Sequence, residues 1–188
     1  MELISPLIEN YIAQFTSPEP VELEEVNKAT AAKHPLAHMI SGHVQGQFLG
    51  LICAMLKPKY VLEIGTFTGY SALCMQRYLP KDGMIHTIEI RPEDGATAAE
   101  NFSKLNANKQ ITLHIGDAKE IISQLPYQWD LVFIDADKIN YTLYYDLIFD
   151  KLNPNAVIIA DNVLWSGKVV DEKSALGDVD LGSVWLLP

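Results

Sequence analysis

From residue 60 to residue 161, five short apolar runs alternate with stretches of helical periodicity. The runs are YVLEIG (60–65), MIHTIEI (84–90), ITLHIG (111–116), WDLVFID (129–135) and AVIIAD (156–161). The spacing predicts helices over 69–79, 93–107, 118–125 and 140–152. Strands that are apolar along their whole length must be covered on both faces, and helices between them supply that cover. The chain is therefore expected to be α/β, with a doubly wound, mostly parallel sheet.

The residues before this region are helical. Leu3, Leu7, Ile8, Tyr11, Ile12 and Phe15 recur at helical spacing, giving an amphipathic helix over 3–15. A second helix is expected over 21–33, HPLAHMISGH (34–43) reads as a loop, and QGQFLGLICAML opens another helix. With 188 residues, of which 48% are hydrophobic, one domain is expected. It divides into a lead-in (1–45), a core (46–172) and a shortened tail (173–188).

The net charge of -10 and pI of about 4.8 argue against nucleic acid or anionic lipid as partners. Cys53 and Cys74 sit in apolar stretches and read as reduced core thiols. The N-terminus carries Glu2 and Glu9 and no basic stretch, unlike a secretion signal. The longest apolar run, around 48–56, falls short of the ~20 residues a membrane span needs. A soluble, cytoplasmic protein is expected.

In open α/β sheets ligands bind beyond the carboxyl ends of the strands, and here those ends are acidic. The first strand runs into Gly65-Thr66-Phe67-Thr68-Gly69, a turn that lets a ligand approach the backbone. It lacks Gly-Lys-Ser/Thr, so it is no P-loop, and its G-x-x-x-G spacing differs from the dinucleotide fingerprint. Glu63 just before the turn would repel a phosphate. Glu89 ends the second strand, where a carboxylate can accept from a ribose diol. Asp117 can cap the next helix, touch an adenine edge, or do both. A glycine turn with three acids suits a nucleoside without phosphate, and S-adenosylmethionine fits.

Asp135 ends the fourth strand, and Asp161 and Asn162 end the fifth. Two carboxylates and an amide with no Cys or His suit a hard cation: Mg²⁺ first, Ca²⁺ or Mn²⁺ otherwise. The alternative is that Asp135 caps a helix and Asp161-Asn162 merely opens a loop. Lys138 is a candidate base or a surface partner of Asp135 or Asp137. Asp137 is a candidate cofactor contact. His34, His38 and His43 read as a solvated lid, His86 and His114 as packed strand histidines, and Ser71 and Ser166 have no nucleophile context.

LEIGTFTGYS (62–71), IDADKINY (134–141) and ADNVLWSGKV (160–169) resemble the signature segments of cation-dependent catechol and caffeoyl-CoA type O-methyltransferases. HMISGHVQGQFL (38–49) is similar to that family's entry into the domain, and the resemblance covers most of 30–172. It implies a Rossmann-like fold that binds S-adenosylmethionine. It implies Asp135, Asp161 and Asn162 as metal ligands and Lys138 as catalytic base, with Asp135 beside it. Glu63, Gly65, Ser71, Glu89, Ala118, Asp137 and Tyr144 would line the cofactor site, together with Asp117 and Asp135. Met39 and Ser41 would close that site. Trp165 and Lys138 would face an aromatic diol acceptor, and the assembly would be a homodimer.

Three places depart from the pattern. Ser41-Gly42-His43-Val44 replaces Ser-Pro followed by acidic or amide residues, and Ile139 stands where an acid is common. After about 172 the family runs through a further helix and a closing strand pair, whereas here only SVWLLP resembles the start of that pair. The competing readings are a cofactor-binding module without catalysis, an NAD-dependent oxidoreductase, and a phosphotransferase built on Asp135-x-Asp137.

Overall fold

The computed structural model describes residues 5–164. Five strands form one parallel sheet: β1 (Tyr60–Ile64), β2 (Met84–Glu89), β3 (Ile111–Ile115), β4 (Trp129–Ile134) and β5 (Leu152–Ala160), in the order β3-β2-β1-β4-β5. From β1 the chain steps outward through α4 (Tyr70–Gln76) and α5 (Pro92–Lys104). It then returns through α6 (Ala118–Gln124) to the other side of β1 and ends in α7 (Tyr141–Phe149) and β5. That reversal parts the loops after β1 and β4 and opens a crevice between them.

The period of two along each strand divides the core. Val61, Ile85, Leu131 and Phe133 point to one face, where they meet Leu73, Met75, Ala98 and Phe102 of α4 and α5. Leu62, Ile64, Ile88, Val132 and Ile134 point to the other, against Ile122 of α6 and Ile148 of α7. Each fully buried Leu, Ile or Phe stabilises the fold by about 1.5–3 kcal/mol. Cys53 and Cys74 are free and buried, and burial pushes both thiols up to about 12, as suits unreactive core groups.

The lead-in differs in detail from its pattern. The first helix, α1, spans Pro6–Phe15 and buries none of its residues; Leu7, Tyr11 and Phe15 are exposed. Its amphipathic spacing is real, but among the described residues no surface covers its apolar face. The helix α2 (Val21–Lys33) docks through Leu23 and Val26. The 34–43 segment is not all loop: a short 3-10 turn spans Ala37–Met39, and α3 (Gly42–Leu56) starts at Gly42, whose φ is +74°.

Ala37–Leu56 forms 20 residues of mean hydropathy 1.3, long and apolar enough to cross a membrane by length and composition. The stretch joins the 3-10 turn to α3 and reaches that length although its longest contiguous apolar run, around 48–56, does not. One side of it is nevertheless packed: a Cβ on Gly46 would lie 2.6 Å from Cys74 Sγ, and one on Gly50 2.6 Å from the Tyr78 ring.

The fifth strand begins at Leu152 rather than 156, and α7 ends at Phe149 rather than 152. A proline in a strand cannot donate to the ladder and is confined to edges and irregular stretches, and Pro154 lies in such a stretch. Asn155 takes φ +67° and the register slips between Trp129 and Leu131, so the proline sits in an irregular stretch before regular pairing resumes at Val157.

Candidate active site

The crevice is a cleft of about 520 Å³, within the range typical of small-molecule sites. Its floor is the glycine turn. Gly65 has φ +100°, and a Cβ there would lie 2.1 Å from the Asp135 carbonyl oxygen. Glycine is therefore required because the end of β1 presses on the end of β4, whatever ligand lies above. Phe67, also left-handed at φ +49°, aims its N–H at Glu89 Oε2, 2.6 Å away.

Glu63 and Ser71 act together. Glu63 is fully buried; Ser71 Oγ donates to one of its oxygens at 2.6 Å and Thr87 Oγ1 to the other at 2.5 Å. Burial outweighs those hydrogen bonds and pushes the carboxyl up to about 7, with the charges of Asp135 and Glu89 adding to the rise. Glu63 does not line the cleft itself, whereas Met39, Ser41, Gly65, Ser71, Glu89, Ala118, Asp135, Asp137, Lys138, Tyr144 and Asn162 all do. Asp117 does not line the cleft; it caps α6, accepting from the Lys119 N–H at 2.9 Å.

At the other end, Asp135 and Asp161 follow residues that pair across β4 and β5, Ile134 and Ala160. Burial, then the nearby Asp161 charge, pushes the Asp135 carboxyl up to about 6, against the pull of Lys138. Lys138 Nζ lies 3.5 Å from Asp135 Oδ1 and donates to Tyr141 Oη at 2.8 Å. Tyr141 Oη in turn shares its one hydrogen between the carbonyls of Ile134 and Asp161, tying the two strand ends together. Asp137 turns away from this group: Tyr144 Oη donates to its Oδ1 at 2.6 Å, and Asn140 to its Oδ2.

Asp161 has both oxygens engaged. Oδ1 accepts from the Asn162 N–H and side-chain amide, and Oδ2 accepts from Gln45 of α3 at 2.9 Å. Among the described residues, no three His, Cys, Asp or Glu are grouped to hold a metal. The oxygen set here is two carboxylates plus the Asn162 amide. Trp165 lies outside the described residues, as does the whole tail after residue 164.

Residues 13–179 match the O-methyltransferase family. The chain belongs to that family. It is 35% identical over 171 residues to the catechol O-methyltransferase of Niastella koreensis, covering 89% of this chain and 77% of that protein. It is 32% identical over 166 residues to the caffeoyl-CoA O-methyltransferase of Stellaria longipes, covering 85% and 68%. The fold matches a methyltransferase of Podospora anserina solved with bound SAH, with TM-score 0.84, 29% identity and coverage of 90% and 77%. It also matches the O-methyltransferase of Bacillus cereus, again in complex with SAH, with TM-score 0.80, 31% identity and coverage of 88% and 77%. The protein is thus an O-methyltransferase of the class I, S-adenosylmethionine-dependent type, which removes the oxidoreductase and phosphotransferase readings.

The motifs passed over several residues in and around this methyltransferase's cleft. Gln45 and Tyr141 carried no signal of their own; only the tertiary structure brings them to Asp161. Arg91 lines the cleft beside Glu89. His34 is no solvated lid residue: its Nε2 lies 2.8 Å from the buried Asp94.

Proposed function

We propose that this methyltransferase moves the methyl group of S-adenosylmethionine to a hydroxyl of an aromatic vicinal diol, with a divalent cation, Mg²⁺ first, held by Asp135, Asp161 and Asn162. The observation that carries the reading is the pair of carboxylates after neighbouring strands β4 and β5, with Asp135 raised first by burial and then by the Asp161 charge, at the cleft that Lys138 and Asn162 also line. The donor set fits: it is all oxygen, as a hard cation prefers. Relatives named for catechol and caffeoyl-CoA support the acceptor class.

The cofactor would lie over the glycine turn, its ribose toward Glu89 and its cationic end toward the acidic side of the cleft. Bound there, the cation would supply Lewis-acid stabilisation of the developing phenolate. Lys138 Nζ, held between Asp135 and Tyr141, would take the hydroxyl proton. Tyr141 would keep the two strand ends in register, and Met39 and Ser41 would cover the cofactor. The rest of the rate gain would come from alignment of oxygen and methyl. Trp165 would wall the acceptor, and a second copy of the chain would complete a homodimer.

Methyl transfer across a panel of catechols, with Mg²⁺ and with excess EDTA, tests this. Activity should vanish with EDTA and return with Mg²⁺, and Asp161→Ala should lose turnover while still binding S-adenosylmethionine. Full turnover in EDTA would sink the metal role.

A further inference from the structure

Glu89 is not alone at the ribose end of the cleft. Arg91 Nε stands 3.5 Å from Glu89 Oε1, and the Arg91 backbone N–H donates to that same oxygen at 3.0 Å. A guanidinium resting on Glu89 would compete with ribose hydroxyls for its lone pairs. The pair with Glu89 is the longer of two that the side chain makes. Its Nε is 2.5 Å from Asp94 Oδ2, an ion-pair contact without the alignment of a hydrogen bond, and Asp94 is buried at the start of α5. The guanidinium also lies over the Phe67 ring, 5.6 Å from its centroid.

Asp94 is held in turn. Its Oδ1 is 2.8 Å from His34 Nε2, and His34 Nδ1 accepts from the Leu36 N–H at 3.1 Å. With Nδ1 accepting, Nε2 must carry the hydrogen, so His34 donates to Asp94. Its ring also meets Phe67 edge-on at 4.6 Å. Leu36 leads directly into the 3-10 turn whose Met39 lines the cleft. A continuous chain of contacts therefore runs from the lead-in to the ribose-side carboxylate.

We propose that Asp94 and His34 are positioning residues of the cofactor site: Asp94, the closer partner of Arg91, keeps its guanidinium from closing to hydrogen-bond distance on Glu89, and His34 fastens Asp94 to the lead-in segment that covers the cleft. This rests on the reading of Glu89 as the ribose acceptor. Asp94→Asn keeps the shape and an acceptor for His34 but drops the charge that holds Arg91. The guanidinium then settles on Glu89, and cofactor affinity falls. Two sites coupled in this way shift one another's affinity by about tenfold.

The test is calorimetric titration of S-adenosylhomocysteine into the purified chain and its variants, with thermal melts to confirm folding. Asp94→Asn should weaken binding about tenfold, and adding Arg91→Leu to it should restore most of the loss. A residue that only supports the fold would not be rescued by that second change. His34→Ala should raise the cofactor KM and leave kcat at saturation near the parent value, and His34→Gln, which keeps an N–H donor, should recover the affinity. Parent-like binding by Asp94→Asn, or no rescue by Arg91→Leu, overturns the proposal. A control, Glu89→Gln, separates the two layers. If it binds like the parent, the ribose reading fails and this inference with it. If it binds weakly while Asp94→Asn does not, only the inference fails.

Discussion

Gln45 Nε2 donates a 2.9 Å hydrogen bond to Asp161 Oδ2, joining residues 116 apart in the chain. It holds one carboxylate oxygen of the proposed cation site from the first turn of α3. Groups that orient a metal ligand without touching the metal are worth about 10–100-fold in affinity. Gln45→Leu should therefore raise the Mg²⁺ concentration needed for half-maximal methyl transfer about tenfold. An unchanged Mg²⁺ titration curve would remove Gln45 from the site.

Glu63, buried at the end of β1 and bonded to the cleft residue Ser71, should give cofactor binding a pH dependence. Its carboxyl sits at about 7 because burial penalises the charge. A cationic cofactor nearby favours the ionised form, so below that pH binding must release a proton. Affinity should rise as pH climbs from about 5 to 7 and level off above. Glu63→Gln should flatten the curve and lower its plateau. Calorimetry in buffers of different ionisation enthalpy counts the proton; zero release at pH 6 would contradict the assignment.

The same group makes the free protein less stable as pH rises. Its folded value lies above the ordinary 4.5, so the neutral form is favoured by the fold, and stability is lost between about 4.5 and 7. Ser71→Ala removes a donor to the ionised form and should steepen that loss, read as melting temperature against pH.

The pairing of buried His86 with half-buried His114 works in the opposite direction. His86 Nδ1 and His114 Nε2 are 3.0 Å apart, so one ring donates and the other accepts. Burial, then the neighbouring His114, pulls His86 down to about 4. Its folded value lies below the ordinary 6.5, so stability is retained above that pH and lost as pH falls from 6.5 to about 4. Each kcal/mol lost lowers the melting temperature by about 2–4 °C in a chain of this size. Replacing His86 by Phe should make the melt flatter across that window; an equally steep fall would place the acid sensitivity elsewhere.

Gly65→Ala should destabilise the fold by about 3 kcal/mol or more, through its left-handed backbone and the clash with the Asp135 carbonyl. Chemical denaturation checks it. A loss under 1 kcal/mol would mean that β4 can yield at that point.

Much of this architecture is local information. Apolar runs at short intervals determined the strands, and the acids and glycines at their ends determined where the cleft would be, because a parallel sheet presents every strand end on one edge. Asp135, Asp161 and Asn162 could be singled out from sequence because they follow strands that the alternation makes neighbours. The Pro154-Asn155 irregularity was not legible, since a left-handed asparagine leaves no periodic trace. Nor was the exposure of α1, because amphipathic spacing says that a face wants cover without saying what covers it.

What the sequence determined alone was the fold class and the chemistry waiting at the strand ends. Tertiary structure decided which side chains meet there: Gln45 with Asp161, Tyr141 with both strand ends, His34 with Asp94, and Gly65 against the Asp135 backbone. Periodicity encodes which face of an element is buried. Contacts between residues far apart in the chain depend on how those faces are packed, and only the folded molecule contains that.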